Sequence, residues 1–244
     1  MRREALSAPL RLALAPLEAA LRRWDYAVAQ RVDAFIVMTA YVSERLQRVY
    51  GRGSQIVPPP VDVARFLDLP LRDEGYFLAI GRFEAYKRFD LAMEACRRLG
   101  VPLKLVGGGV DEPELRRLAR GAPHVELLGE VSDAAVADLL AGCRALLFPG
   151  EEDFGLTAVE AQAAGKPVIA YAVGGARETV LEGETGAYFA DLTVESLVGA
   201  IERFEPTDYR PEACRANARR FGPERFRARL KETVERLWEM GRVA

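Results

Sequence analysis

The stretch FPGEEDFGLTAVEAQAAGKPVIAYAVGG, residues 148–175, decides how the rest of the chain is read. It opens on a Pro149-Gly150 break, presents Glu151, Glu152 and Asp153, and runs through Phe154 and Gly155 into a helical pattern carrying Glu160. Gly165, Lys166 and Pro167 end that helix, and Val168-Ile169-Ala170-Tyr171 then reads as a buried strand. A glycine at a helix N-terminus leaves backbone N–H groups pointing outward along the helix dipole, which favours an anion there. Glu152 and Glu160, with seven residues between them, stand beside that site. Carboxylates next to an anion site suit a ligand that carries phosphates and hydroxyl pairs together, as nucleotide-sugars do.

Working outward, the pattern from Tyr76 onward alternates cleanly. Apolar runs YFLAI, LKLVG, VELLG, ALLFP and PVIAY are separated by helical patterns near 90–99, 112–120, 133–142 and 155–165. Short continuous apolar strands alternating with helices predict an α/β fold, a Rossmann-like doubly wound parallel sheet. Ligands of such sheets bind beyond the carboxyl ends of the strands, and the unusual residues of this chain follow those ends.

After the first strand comes GRFEAYKR, where Gly81 permits a sharp turn and Arg82 and Lys87 leave the sheet as two cations. A metal-free reaction that expels a nucleoside diphosphate needs fixed positive charge where the leaving group's charge grows. The plainer alternative is a pair of solvated surface cations. Gly107, Gly108 and Gly109 follow the second strand and allow close backbone approach to a phosphate or sugar, but the G-x-G-x-x-G spacing of a dinucleotide site is absent. The third strand turns through Gly129, Glu130 and Val131 into a helix capped by Ser132 or Asp133. Glu160 is placed to accept both hydroxyls of a ribose, while Glu152, Phe154, Gly155 and the amides of Leu156 and Thr157 face the sugar and phosphates. A glycosidase pair is the competing role for the two glutamates. It is set aside because hydrolases hold their carboxylates across a scissile bond. A divalent cation at residues 151–153 is set aside because Arg82 and Lys87 already supply countercharge.

The ends of the chain read differently. Residues 1–34 are helical and broken at Pro9 and Pro16; residues 33–38 form a short buried strand; Thr39 caps a helix over Ala40–Tyr50. One parallel strand cannot close a core, so residues 1–56 are expected to be the tail of a domain whose beginning is absent. The Gly51–Gly53 and Pro58–Pro60 stretches mark the boundary, residues 57–222 form the main domain, and residues 223–244 a packing helix with Phe226, Leu230, Val234 and Leu237 on one face.

Composition excludes several classes. With 244 residues, 50% hydrophobic and 29% charged, and a net charge of -2, nothing points to nucleic acid or an anionic surface. Cys96, Cys143 and Cys214 lack metal-ligand spacing and read as reduced thiols. His124 is the only histidine, which removes a histidine metal site and an internal Ser-His-Asp triad. With no long uncharged apolar run and no leader pattern, the expected location is the cytoplasm, with peripheral attachment at the inner membrane face as its variant.

Taken together, GRFEAYKRFDLAMEA, KLVGGG, VELLGEVSDAAVADLLAGC, FPGEEDFGLTAVEAQAAGKPVIA and GGARETVLEGETG resemble the C-terminal donor-binding domain of the family 4 retaining glycosyltransferases over about residues 55–200. That family has the GT-B fold, two Rossmann-like domains facing across a cleft. The EEDFG and VEAQAAG wording is most similar to bacterial mannosyltransferases of O-antigen and related polysaccharides. The resemblance implies that Arg82 and Lys87 bind the donor diphosphate, that Glu160 holds the ribose, and that Glu152 with the backbone of residues 154–157 contacts the transferred sugar. Gly81 and Gly107 line the donor site, and Val131 lies near the base. It further implies no metal cofactor, a nucleotide-sugar donor with GDP-mannose favoured over UDP-sugars, and a glycan or lipid-linked acceptor.

The departure is at the start. The family's acceptor domain contributes a histidine near the donor sugar, and no histidine precedes His124 here. A fragmentary transferase is therefore expected, served by a separate chain or by self-association through residues 35–38. The alternative is a non-catalytic nucleotide-sugar-binding or assembly module.

Overall fold

The computed structural model describes residues 8–243. These fall into two compact units, one built from residues up to Val57 together with those from Ala228 onward, the other spanning Pro58–Arg227.

The smaller unit holds α1 (Ala8–Ala29), β1 (Ile36–Val37), α2 (Ala40–Tyr50) and β2 (Gln55–Ile56). Thr39 caps α2 as the sequence predicts, accepting the Val42 N–H at 3.2 Å. Three expectations are corrected. Pro9 and Pro16 do not break the first helix. Pro16 lies inside it and forfeits a single bond that neighbouring turns outweigh. The strand expected over 33–38 shrinks to two residues, and Ile36 is 39% exposed rather than buried. Nor is that strand alone, since it pairs in parallel with β2, which lies inside the stretch read as linker. Arg52 fastens the connection between α1 and β1, donating to the carbonyls of Ala29 at 3.0 Å and Val32 at 2.6 Å and lying over the Phe35 ring.

The larger unit runs α3 (Ala64–Leu67), β3 (Phe77–Ile80), α4 (Phe89–Leu99), β4 (Leu103–Val106), α5 (Glu112–Ala119), β5 (Val125–Gly129), α6 (Asp133–Gly142) and β6 (Leu146–Phe148). It continues with α7 (Leu156–Ala163), β7 (Val168–Tyr171), α8 (Ala176–Thr179), β8 (Gly186–Phe189), α9 (Val194–Arg203), α10 (Pro211–Ala218) and the start of α11 (Pro223–Val243). The six strands β3 to β8 form one parallel sheet in the order β5-β4-β3-β6-β7-β8. Side chains alternate across it, as a pleated strand requires. Leu78 points into a cluster with Leu140, Leu146, Ala158, Val168 and Ala218, while Phe77 and Ala79 join Leu91, Leu105, Leu115, Ile169 and Leu197 on the other face. Helices α6, α7, α8 and α10 therefore cover one face and α4, α5 and α9 the other, which explains why the strands read as unbroken apolar runs.

β8 has no counterpart among the predicted strands. Its four residues, GAYF, begin with a glycine and follow a Glu-Gly-Glu-Thr turn, so no apolar run announces it. On α11 the inward face carries Phe226, Leu230, Thr233 and Leu237; Thr233 is 5% exposed and Val234, expected inward, is 49% exposed. The spacing of four, three and four residues keeps a single stripe, which Val234 misses by one position. No helix among the described residues is long and apolar enough to cross a membrane.

Candidate functional site

Strand order reverses between β3 and β6, so the loops leaving their carboxyl ends diverge and a crevice opens between them. The loop after β3 carries Arg82 and Lys87, and the loop after β6 carries Glu152. Gly150 lets the two loops meet, because a Cβ there would lie 2.6 Å from Lys87 Cα. Lys87 closes a short 3-10 turn, Ala85–Lys87, and is buried. Its ammonium donates to Glu152 Oε1 at 2.5 Å, and the two side chains are only 11% and 18% exposed. The surface-cation alternative thus fails for Lys87. The carboxylate uses one of three ammonium N–H donors and leaves two for a ligand. The next residue, Arg88, is the one non-glycine at positive φ (53°) among the described residues, and Asp90 clamps its guanidinium at 3.0 Å. Backbone strain of this kind persists where surrounding contacts over-determine it.

Arg82 is exposed, and its guanidinium makes no hydrogen bond or ion pair among the described residues. A guanidinium without a counterion in the same loop as a buried ammonium is a ready partner for a polyanion.

The β6 loop is tied to the loop after β7: Gly175 N–H donates to the Glu152 carbonyl at 2.7 Å, and Glu152 bridges Gly174 in parallel. The Phe154 ring lies in the core, edge-on to Phe221 at 5.4 Å, so only its backbone is left for a ligand. Gly155, at φ 94°, starts α7 in a conformation that a side chain resists. The N–H groups of Ala158 and Val159 return to its carbonyl, whereas those of Leu156 and Thr157 precede the first intrahelical bonds.

Glu160 lies one turn along α7 from Leu156, on the same side of the helix. Half-buried, its carboxyl has no hydrogen bond or ion pair among the described residues. Burial pushes its carboxyl above the ordinary carboxylate range; Arg65 pulls it back down and Asp133 pushes it further up. Arg65, from α3, donates an ion pair to Asp133 at 3.0 Å. Nothing in VDVARFLDLP marked Arg65 beforehand, since a four-residue helix has too short a period to show which way it faces.

Gly81 and Gly107 have a packing use. Gly81 N–H donates to the Val106 carbonyl at 3.0 Å, and a Cβ on Gly107 would come within 1.9 Å of the Gly81 carbonyl oxygen. Gly107 thus lets one loop lie on another. Val131 is partly buried against the core, and Ser132, of the two cap candidates, caps α6 by accepting the Ala135 N–H at 3.3 Å. Among the described residues no group of three or more His, Cys, Asp and Glu could hold a metal ion. Beneath the site, a buried network holds the helices in place. Asn217 donates to Gln162 Oε1 at 2.6 Å and to the Thr179 carbonyl at 2.8 Å, and the Thr179 hydroxyl donates to the Gly175 carbonyl at 3.1 Å.

A doubly wound sheet of this order, with a cationic and carboxylate crevice at the reversal, is one Rossmann-like half of the GT-B architecture. Solved structures agree on the fold. Sucrose-phosphate synthase from Thermosynechococcus elongatus superposes with a TM-score of 0.79 at 24% identity, covering 90% of this chain and 62% of that one. HepE of Anabaena, in complex with UDP-glucose, gives 0.75 at 21% identity, covering 88% and 67%. The sequence model of the glycosyl transferases group 1 matches residues 68–221, and the chain belongs to that family. The phosphatidyl-myo-inositol mannosyltransferase of Mycolicibacterium smegmatis is 31% identical over 210 residues, covering 78% of this chain and 53% of its own length. The O-antigen chain mannosyltransferase C of Escherichia coli is 29% identical over 161 residues, covering 64% and 43%. The chain spans about half the length of the curated relatives it matches.

Proposed function

We propose that the chain supplies the donor-binding half of a retaining hexosyltransferase of the family 4 type, which moves a hexose from a nucleoside-diphosphate sugar to a glycan or lipid-linked acceptor. The observation that carries this reading is the Lys87–Glu152 pair at the reversal of the sheet, with an unpartnered Arg82 in the same loop as Lys87. A buried ion pair repays its desolvation only when further hydrogen bonds satisfy its remaining protons and lone pairs, and a bound diphosphate would supply them here. In the transfer, the bond from the anomeric carbon to the phosphate oxygen breaks and its electron pair leaves on the diphosphate. Arg82, the two remaining Lys87 donors and the amides of Leu156 and Thr157 stabilise that growing charge. Glu160 accepts the ribose hydroxyls, Glu152 orients the hexose, and Val131 packs near the base. No metal takes part in this scheme. Mannose is favoured because two curated relatives are named mannosyltransferases, and GDP-mannose is the donor the sequence resemblance favours over UDP-sugars.

Residues 1–56 are read as the remnant of an acceptor-binding domain, residues 57–222 as the donor domain and residues 223–244 as its crossing helix. A second reading, a nucleotide-sugar-binding module without turnover, is favoured by one observation. His124 lies in an exposed turn at the amino end of β5, opposite the crevice. Binding assays with GDP-mannose and UDP-glucose, followed by a search for hexose release or transfer, separate the readings. Binding with transfer supports the first, binding alone the second, and binding of neither donor contradicts both.

The buried charge of Glu160 gives a stability prediction. A carboxyl whose folded pKa is raised favours the folded state at low pH, and that contribution is lost as pH rises through the folded value. Glu160→Gln is therefore expected to melt about 1–3 °C above wild type near pH 7.5, a small gain because solvent still reaches the group. The gain should vanish below pH ~4, the unfolded carboxyl range, and nucleotide affinity should fall. Melting curves across pH check the first claim and calorimetry the second.

In the smaller unit, Ile36 and Met38 are 39% and 37% exposed around β1. An apolar strand edge of this kind is expected to drive concentration-dependent self-association. Sedimentation showing a strict monomer at all concentrations would contradict this.

A further inference from the structure

A cavity of about 280 Å³ opens at the end of the sheet opposite the crevice, where the turn before β8 meets the end of α9 and the loop that follows it. Its lining includes Glu182, Ala187, Ala200, Arg203, Phe204 and Tyr209. The aromatic wall is fixed in advance. Tyr209 stacks on the buried Phe204 ring, with centroids 5.3 Å apart and planes at 16°, and Phe204 meets Phe77 of β3 edge-on at 6.1 Å. The Tyr209 ring is thereby braced against the core. Tyr188 also reaches the cavity, but its hydroxyl is occupied by the carbonyls of Val180 at 2.7 Å and Ala176 at 3.1 Å. In contrast, the Tyr209 hydroxyl, the Glu182 carboxyl and the Arg203 guanidinium make no hydrogen bond or ion pair among the described residues. Arg203 lies over Gly199, one turn back along α9, where a Cβ would stand 3.1 Å from the guanidinium. Glu182 and Arg203 thus share a cavity without neutralising each other.

We propose that this cavity is a second carbohydrate site, separate from the crevice, which takes one neutral hexose unit of a glycan. A small anion there would meet the Glu182 carboxylate, and a small cation the Arg203 guanidinium. A zwitterion matches both charges but leaves the aromatic wall uncovered. A sugar ring answers all of these groups at once. Each of its hydroxyls both donates and accepts, so it serves an acceptor at Glu182, a donor at Arg203 and a group that does both at Tyr209. Its C–H face is apolar and suits Ala187 and Ala200, and the negative face of an aromatic ring attracts polarised C–H groups. The volume is at the small end for a ligand pocket, which fits one ring rather than a whole nucleotide. Apolar walls with a few convergent polar groups are the general make-up of small-molecule sites.

The experiment follows backbone amide shifts of the labelled chain during titration with mannotriose and, separately, with maltotriose. Saturable shifts at millimolar sugar are expected on residues 182–188 and 199–209. Tyr209→Ala should weaken that binding about tenfold, whereas Tyr209→Phe, which keeps the stacked ring, should weaken it clearly less. Arg203→Ala should also weaken it. That position is exposed, so its amide spectrum outside the cavity should match wild type, which guards against a Tyr209→Ala that loosens the fold. No saturable shift in the two stretches with either sugar would overturn the inference. So would shifts confined to residues 81–88 and 150–157, or binding unchanged in both Tyr209→Ala and Arg203→Ala. Glycylglycine or inorganic phosphate moving the same residues as strongly as either sugar would overturn the assignment to carbohydrate.

Discussion

Lys87→Ala is expected to lower affinity for a nucleoside diphosphate by about 100-fold or more, while affinity for the bare nucleoside changes little. The ammonium is buried, bonded to Glu152 at 2.5 Å and in place before any ligand arrives. Truncating it removes the countercharge for the diphosphate and leaves the Glu152 carboxylate uncompensated in the same crevice. Losing one member of a buried charge pair costs about 2–5 kcal/mol, and every 1.4 kcal/mol is a factor of about ten in affinity. Comparing GDP with guanosine isolates the diphosphate contribution. Equal losses for both would mean that Lys87 supports the fold of the site without touching phosphate. Arg82→Ala is the gentler variant, since an exposed cation without a partner leaves nothing stranded when removed.

Asn217→Leu is expected to destabilise the larger unit by about 3–5 kcal/mol, or roughly 10 °C in Tm for a chain of this size. The side chain is 4% exposed and joins α10 to α7 and α8 through Gln162 and the Thr179 carbonyl; Arg220 donates to its oxygen at 2.7 Å. Leucine keeps the volume and breaks all three bonds, stranding polar groups that water cannot reach. Adding Gln162→Leu should recover little of the loss, because the Gln162 oxygen is then gone but the Thr179 carbonyl loses both its donors, Asn217 and Gln162. Thermal melts of the two single variants and the double variant decide it. Additive losses would show that Gln162 and Asn217 act separately.

How much of this was legible beforehand depended on period and length. The strands β3 to β7 and their helices stood out because a doubly covered sheet forces unbroken apolar runs. Thr39 and Ser132 announced their helices because a cap's chemistry is local, and each accepts the expected backbone N–H. β2 stayed hidden because two residues carry too little periodicity, β8 because its glycine-led GAYF makes no continuous apolar run, and Pro16 misled because a long helix tolerates the loss of one bond. At the site, the residue types at each strand end were readable, but their pairing was not. Nothing local joins Lys87 to Glu152 across 65 positions; the reversal of the strand order does that. Phe154 reads in sequence as part of a loop, yet a glycine on either side of the core, Gly155 in its own loop and Gly175 against its backbone, turns the ring inward. Arg65 escaped notice for the opposite reason, since an arginine before a buried phenylalanine has no period to betray its partner.

The most direct test of the central claim is a map of backbone amide shifts in the isotopically labelled chain as GDP is added. The large, saturable shifts are expected on residues 81–88, 150–157, 160 and 174–175, around the loops that leave the sheet at its reversal, and Lys87→Ala is expected to remove them. Saturable shifts centred elsewhere on the larger unit, or none in these four stretches at millimolar nucleotide, would contradict it.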